Sequence, residues 1–193
     1  SNHLISLDVS QNTALTYLQC GFNQNLDTLD VSNNTALTNF YCRYDNLDTL
    51  DVSAHIALAS LRCGDNNLTS LDVSNNTALT QLWCWSNQLI SLDVSNNTNL
   101  WELRCNDNQL TSLDVRNGNN TNFISGNGSS LFSASNNPNL YCIDVDDEIW
   151  SITNWTDIDP QHYFSNNCSG TTSIKEHHTN KTLLKVTDLL GRE

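Results

Sequence analysis

Tyrosine, arginine and tryptophan occupy one position of a recurring Leu-x-Cys pattern, where they could bind a macromolecule. The pattern returns about every 21 residues, with Phe40 in place of the Leu in one copy, and the residue before its Cys varies along the chain. In chain order this residue is Gln19, Tyr41, Arg62, Trp83 and Arg104. Tyr, Trp and Arg dominate the energetics of protein-binding surfaces, and arginine stacks on aromatic rings through cation–π attraction. If the interval makes these side chains neighbours, they form a row that can bind a partner.

Two flanking positions, the residue before the Leu and the residue after the Cys, vary in the same way. Three of the four basic residues that precede the C-terminal tail fall within this pattern, although the 193-residue chain has a net charge of −13. We therefore predict a ligand-binding surface made of Tyr17, Tyr41, Arg43, Arg62, Trp83, Trp85 and Arg104. The alternative is that the row only stacks on itself and stabilises the sheet that carries it.

A second column of side chains is invariant and acidic. It consists of Asp8, Asp30, Asp51, Asp72, Asp93 and Asp114. Carboxylates one strand spacing apart, about 4.8 Å, repel each other. Calcium bound between Asp30, Asp51, Asp72 and Asp93 would relieve that repulsion, because calcium prefers hard oxygen ligands. The alternative is that neighbouring Ser and Thr hydroxyls and water solvate the column.

Other chemistry has no sequence pattern to support it. The chain lacks a nucleophile–base pairing, a phosphate-binding loop and a zinc-protease motif, so we predict neither catalysis nor a cofactor. The acidic charge disfavours a nucleic-acid partner, which needs a basic surface. No apolar run reaches the roughly 18 residues of a membrane span.

The interval itself comes from a repeat that fills the first two thirds of the chain. One unit, residues 79–99, reads LTQLWCWSNQLISLDVSNNTN. Alternate residues are apolar in Leu82-Trp83-Cys84 and in Leu92-Asp93-Val94, which is the periodicity of a strand. One coil buries too little apolar surface to offset the entropy of ordering it. Successive coils must therefore stack their strands on each other.

The pattern LxxLxCxxNxLxxLDVxxN resembles the leucine-rich repeat family, and most closely its nested bacterial class. The resemblance covers roughly residues 1–145 and is met five times in register. It implies a β-rich solenoid, a right-handed superhelix of parallel strands stacked coil on coil, with the variable strand face as the usual ligand surface. Asp45 replaces the Asn of the pattern, and the last unit, expected near residues 123–127, lacks the Cys.

The seven cysteines divide into two groups. The first follows the repeat and points inward; its members are Cys20, Cys42, Cys63, Cys84 and Cys105. Parallel side chains one strand apart do not suit disulfide geometry, so we predict a ladder of free, buried thiols. Cys142 and Cys168 bracket the segment in which the repeat ends, and we predict a disulfide between them, which agrees with an exported protein.

The repeat and the cysteines predict four segments. Residues 1–141 form the solenoid, which begins inside a repeat because residues 2–8 match residues 87–93, so further coils or a capping segment are expected upstream. Residues 142–168 form a disulfide-bonded C-terminal cap, residues 169–173 a linker, and residues 174–193 a tail of different composition.

The tail carries a second resemblance. Its string KVTDLLGRE is similar to the start of the C-terminal sorting domain of the Bacteroidetes type IX secretion system. This implies recognition by the type IX machinery and export across the outer membrane; the alternative is an ordinary amphipathic tail. Asp-Thr-apolar triplets resemble the O-glycosylation motif of the same bacteria, at Thr28 and Thr49.

Together these patterns predict a secreted or cell-surface leucine-rich repeat module that binds a macromolecule without catalysis. Its first predicted role is protein recognition or adhesion, with an extracellular protein as partner. The alternatives are a glycan-binding module and a structural spacer in a larger surface protein.

Overall fold

A computed structural model of the chain describes residues 3–123 and 131–170. The chain winds into a solenoid of parallel strands with about seven turns, as predicted. Its strands are short: each contributes only two or three residues to a sheet before the chain bends. In chain order they are β1 (Tyr17–Gln19), β2 (Asn39–Tyr41), β3 (Ser60–Arg62), β4 (Gln81–Trp83), β5 (Ser91–Asp93), β6 (Glu102–Arg104), β7 (Ser112–Asp114), β8 (Phe132–Ser133), β9 (Cys142–Asp144) and β10 (Tyr163–Ser165).

The strands form two sheets. The first sheet has the order β1-β2-β3-β4-β6-β8, and the second has the order β10-β9-β7-β5. The predicted strand at Leu92-Asp93-Val94 is confirmed in β5, and its copy one turn later is β7. The matching Asp-Val segments of the earlier turns carry no regular strand.

Leucine, valine and cysteine side chains fill the space between the sheets. Four ladder cysteines expose no surface at all, and these are Cys42, Cys63, Cys84 and Cys105. All five ladder thiols are free and buried, which confirms the predicted ladder. Burial raises the pKa of Cys63 to about 12, so the thiol stays protonated at neutral pH and behaves as a small apolar group.

A column of buried asparagines forms hydrogen bonds to the backbone of successive turns. The Nδ2 group of Asn87 donates to the carbonyls of Cys63 and Cys84, at 3.1 Å in both cases. Its Oδ1 atom accepts a hydrogen bond of 3.0 Å from the backbone N–H of Leu68. One amide therefore satisfies three backbone groups at a bend, where no strand ladder can do so. The column therefore has a structural role.

The last unit of the first sheet lies further along the chain than the sequence predicts. Asn137 donates to the carbonyls of Cys105 and Ala134, so Ala134 takes the place of the ladder cysteine. The expectation that this unit lies near residues 123–127 is therefore wrong. The reason is a longer turn: Leu103 pairs with Phe132, 29 residues away rather than 21.

The C-terminal end closes the core with aromatic side chains. The helix α1 (Glu148–Asn154) is capped at its N-terminus by Asp147, whose side chain accepts a hydrogen bond from the Trp150 N–H. Behind it, Trp155 is almost fully buried and stacks on Phe132, with ring centroids 3.9 Å apart. The predicted disulfide between Cys142 and Cys168 is confirmed.

The predicted segment boundaries can be placed on this fold. The second sheet runs across residue 141, because β7 pairs with β9 and β9 with β10. Most of the predicted linker and all of the tail, residues 174–193, lie outside the described residues, as do residues 1–2. Within residues 3–123 and 131–170, no helix has the length and apolar character needed to cross a membrane.

Candidate binding surface on the first sheet

The variable positions of the repeat lie side by side on the outer face of the first sheet. In each of its first five strands the central residue packs into the core, so the residues on either side of it face outward. Strand pairing aligns the third residues of these strands in one line: Gln19, Tyr41, Arg62, Trp83 and Arg104. We call the last four the arginine–aromatic row. The predicted alignment of these four side chains is thus present.

The side chains of the row stack on each other. The guanidinium carbon of Arg62 lies 4.6 Å from the ring centroid of Tyr41 and 3.9 Å from that of Trp83. Arg104 lies 5.0 Å from the Trp83 centroid and Arg43, from the neighbouring position, 5.5 Å. Each such contact stabilises by about 0.5–1 kcal/mol at an exposed site. The row is half-buried and held in place before any partner arrives.

A second group of aromatic side chains lies next to the row, and of its members only Trp85 was predicted from the sequence. The rings of Phe22 and Tyr44 stack with centroids 4.6 Å apart, and the Trp85 ring meets Tyr44 edge-on at 5.7 Å. We call these three residues the aromatic cluster. Phe22 and Tyr44 are 44 % and 38 % exposed, although rings of this size gain most from burial.

The backbone of the aromatic cluster is strained. Phe22 and Tyr44 have φ angles of 69° and 60°, a left-handed conformation that disfavours bulky side chains. The later turns place residues better suited to this conformation at the same position: Asp65, Ser86, Asp107 and Asn136. Two aromatic residues in this column are therefore a signal of function that the sequence does contain.

A surface depression of about 240 Å³ at the end of the row is lined by residues of β1 and β2 and of the turns that follow them. Its lining residues are Tyr17, Gln19, Gly21, Phe22, Tyr41, Arg43 and Arg62. We call it the Arg43 depression. The rings of Tyr17 and Tyr41 meet edge-on at 5.4 Å, and Arg43 connects the depression to the cluster because its guanidinium lies 6.0 Å from the Tyr44 centroid.

The arginines of the described residues differ in how far they are neutralised. Arg104 pairs with Glu102 at 2.9 Å, and Arg116, after β7, pairs with Asp114 and Asp144. Within residues 3–123 and 131–170, neither Arg43 nor Arg62 has a carboxylate within 4.0 Å. The buried Nε of Arg62 also lacks a hydrogen-bond partner there. These two guanidiniums are the available cations of the surface.

Arg62 and Arg43 also act on Tyr41. Burial raises the pKa of Tyr41, but hydrogen bonds with Ser60 and Asn39 and the two guanidiniums outweigh it, so the net pKa is lowered. The same electrostatic field would favour an anionic group of a ligand placed at this position.

The invariant aspartates form turns. The Oδ1 atom of Asp72 accepts a hydrogen bond of 2.9 Å from the backbone N–H of Ser74, and the other five make the same bond to the second residue after them. Hydrogen bonds from the Ser74 side chain and backbone lower the pKa of Asp72. Each carboxylate therefore completes an Asx-turn.

The calcium alternative at these aspartates gains no support from the geometry. Among residues 3–123 and 131–170, no group of three or more His, Cys, Asp or Glu side chains is arranged to hold a metal ion. Thr28 and Thr49, the predicted O-glycosylation sites, are exposed beside the column, and their modification stays a prediction.

Comparison with known proteins finds similarity among solved structures. No model of a known protein family matches the chain, and no curated protein does. The functional domain of InlJ from Listeria monocytogenes, described as including a cysteine ladder, is 31 % identical, with a TM-score of 0.59 over 82 % of this chain and 36 % of that one. The internalin InlF of the same species is 21 % identical, with a TM-score of 0.45 over 79 % of this chain and 49 % of that one.

A leucine-rich repeat protein of Leptospira interrogans is 16 % identical, with a TM-score of 0.41 over 81 % of this chain and 50 % of that one. The chain thus spans between about a third and a half of the length of these three structures. The similarity to InlJ agrees with two independent observations on this chain: its turns are stacked in parallel, and its buried cysteines form a column. The chain has the fold of a leucine-rich repeat solenoid.

Proposed function

We propose that the chain is a binding module, not an enzyme, and that it recognises an extracellular protein, in adhesion or a related role. Its binding surface is the arginine–aromatic row together with the aromatic cluster. The observation that carries this proposal is the strand register, which aligns Tyr41, Arg62, Trp83 and Arg104 in one line on one face.

The composition of this face supports protein recognition. Binding energy at protein interfaces concentrates in Tyr, Trp and Arg side chains that are already ordered. The row meets both conditions, since its side chains are of these types and stack on each other. The opposite column repeats one aspartate in every turn, as expected of positions that only the fold constrains.

An extracellular location is part of the proposal. Disulfides persist in oxidising compartments and are rare in the cytosol, so the Cys142–Cys168 bridge supports export. Export through the type IX machinery stays a prediction from the tail sequence, which lies outside the described residues.

The alternative of glycan binding is favoured by the exposed rings of Phe22 and Tyr44, on which a sugar could stack. It is disfavoured at Trp83, because three guanidinium groups lie within 5.5 Å of its ring centroid and compete with a sugar for that ring. The third alternative, a structural spacer, predicts that neither face of the chain binds anything.

Parallel arrays of extracellular protein domains and of glycans test the proposal. The purified chain is compared with the double variant Trp83→Ala/Trp85→Ala and with the control Ser70→Ala/Ser91→Ala, whose exposed side chains lie beside the aspartate column. We expect saturable binding to a protein that the first variant loses and the control retains. Thermal melts establish that both variants are folded. Binding to glycans alone would favour the alternative, and binding to neither array would indicate a spacer.

A further inference from the structure

We propose that the Arg43 depression binds an acidic side chain, Asp or Glu, of a peptide segment of the partner protein. This inference rests on the proposed function and adds the chemistry of the partner. This face could still recognise a partner protein that places no acidic side chain in the depression, so the two proposals can fail separately.

The first step is the charge of the depression. Arg43 and Arg62 both line it, and they are the two described arginines without a carboxylate within 4.0 Å. The chain has 21 acidic residues against 8 basic ones, so two guanidiniums on one face without a carboxylate within 4.0 Å run against its composition, even though Arg43 acts at longer range on the Asp65 carboxyl. A guanidinium binds a carboxylate through two parallel hydrogen bonds, which makes a carboxylate the matching ligand group.

The second step is the position of the guanidinium of Arg62. It is stacked between the rings of Tyr41 and Trp83, so its faces are covered and its N–H groups point in the plane. One weak bond, 3.4 Å from Nη2 to Oε1 of Gln81, is its hydrogen bond within the described residues. A donor that is held in place and unsatisfied loses little entropy when a ligand accepts from it.

The third step is the size and lining of the depression. Its volume of about 240 Å³ suits a single side chain, and the rings of Tyr17, Phe22 and Tyr41 supply apolar walls for the methylenes that carry a carboxylate. A long polyanion would also have to cross Asp45 and Asp65, which line the adjacent depression beside Tyr44. A short acidic peptide segment avoids that repulsion.

A random-peptide display library tests the proposal. The library is selected on the immobilised full chain and counter-screened on the double variant Arg43→Gln/Arg62→Gln. The variant Arg116→Gln is the control, since it removes one positive charge from the other sheet, where Arg116 already has carboxylate partners. Circular dichroism establishes that both are folded.

We expect the selected peptides to be enriched in Asp and Glu. Replacing the acidic residue by its amide, or using the Arg43→Gln/Arg62→Gln variant, should weaken binding by roughly tenfold or more, the usual loss for a hydrogen bond to a charged group. The Arg116→Gln variant should bind like the unmodified chain.

Three outcomes overturn the proposal. If the selected peptides are neutral and their binding requires Trp83, the acidic-ligand proposal is overturned, while protein recognition by this face still stands. If no peptide is selected, the acidic-ligand proposal is also overturned. The chain is also tested for binding to heparin beads. If it binds heparin in preference to acidic peptides, the two arginines are assigned to a sulfated glycan and both proposals are contradicted.

Discussion

The indole of Trp85 occupies the space that a side chain at position 64 would fill. A β-carbon on Gly64 would lie 2.8 Å from Cε2 and 2.9 Å from Nε1 of Trp85, closer than real contacts allow. Gly21, in the same column, differs, because its β-carbon would lie 2.2 Å from the backbone oxygen of Arg43. One glycine makes room for a side chain and the other for a neighbouring turn of the main chain.

These two glycines should therefore respond differently to replacement by alanine. Gly64→Ala needs only a rotation of the Trp85 side chain, so we expect a loss in the free energy of unfolding of about 1 kcal/mol or less. Gly21→Ala forces two turns apart, and we expect a loss of about 2 kcal/mol or more. Urea unfolding measures both, and equal losses would contradict the assignment.

Asp45 stands in the asparagine column, where it makes fewer hydrogen bonds than its neighbours. Its Oδ1 accepts from the backbone N–H of Asn23 at 2.8 Å, but its buried Oδ2 has no partner among the described residues. Burial raises the pKa of Asp45. The folded state therefore binds a proton more tightly than the unfolded state, and stability falls as pH rises from the unfolded pKa of 3.8 to the folded one.

The variant Asp45→Asn should remove that pH dependence and be more stable at neutral pH. The amide adds donors beside the carbonyls that the other asparagines bind, so we expect a gain of about 1 kcal/mol at pH 7. At pH below 3.8 the advantage should shrink, since the carboxyl is then neutral. The reverse exchange, Asn66→Asp, is the control and should destabilise, because Asn66 donates to the carbonyls of Cys42 and Cys63. Unfolding by urea across this pH range measures both.

The ladder thiols should be inert in the folded protein. Burial raises the pKa of Cys20 and of Cys105 to about 12, so the reactive thiolate is absent and the sulfur is out of reach. We expect mass spectrometry to detect no alkylation by iodoacetamide at pH 8 in the native chain, and five modified cysteines after unfolding without reductant. Rapid labelling of the native chain would show that the ladder opens.

The arginine–aromatic row could be predicted from sequence because repetition supplies its own comparison. Residues that face the core recur at every turn, so a position that changes from Tyr41 to Arg62 to Trp83 is free of that constraint. A regular interval also fixes the strand register, which is why side-chain neighbours were predictable across four turns.

Features that the pattern of apolar residues and cysteines does not specify could not be predicted. Phe22 and Tyr44 each follow a ladder cysteine by two residues, so the sequence shows their position, but it does not show the left-handed backbone that makes an aromatic residue costly there. The turn before β8 is longer than the 21-residue interval of the repeat, and the last unit therefore lies at Ala134. The second column of buried amides, such as Asn76, which donates to the carbonyl of Val52 at 2.9 Å, resembles ordinary polar loop sequence.

The disulfide should stabilise the C-terminal end without supporting the binding surface. Cys142 and Cys168 are 26 residues apart, and closing a loop of that length contributes about 3.5 kcal/mol in the chain-entropy model. We expect the variant Cys142→Ser/Cys168→Ser to unfold at a lower urea concentration. The row, which ends at β6, should still bind the partner. Reductant should lower the stability of the unmodified chain by the same amount and leave the variant unchanged. If the variant instead unfolds at the original urea concentration, the aromatic packing of Trp155 against Phe132 alone holds the end closed.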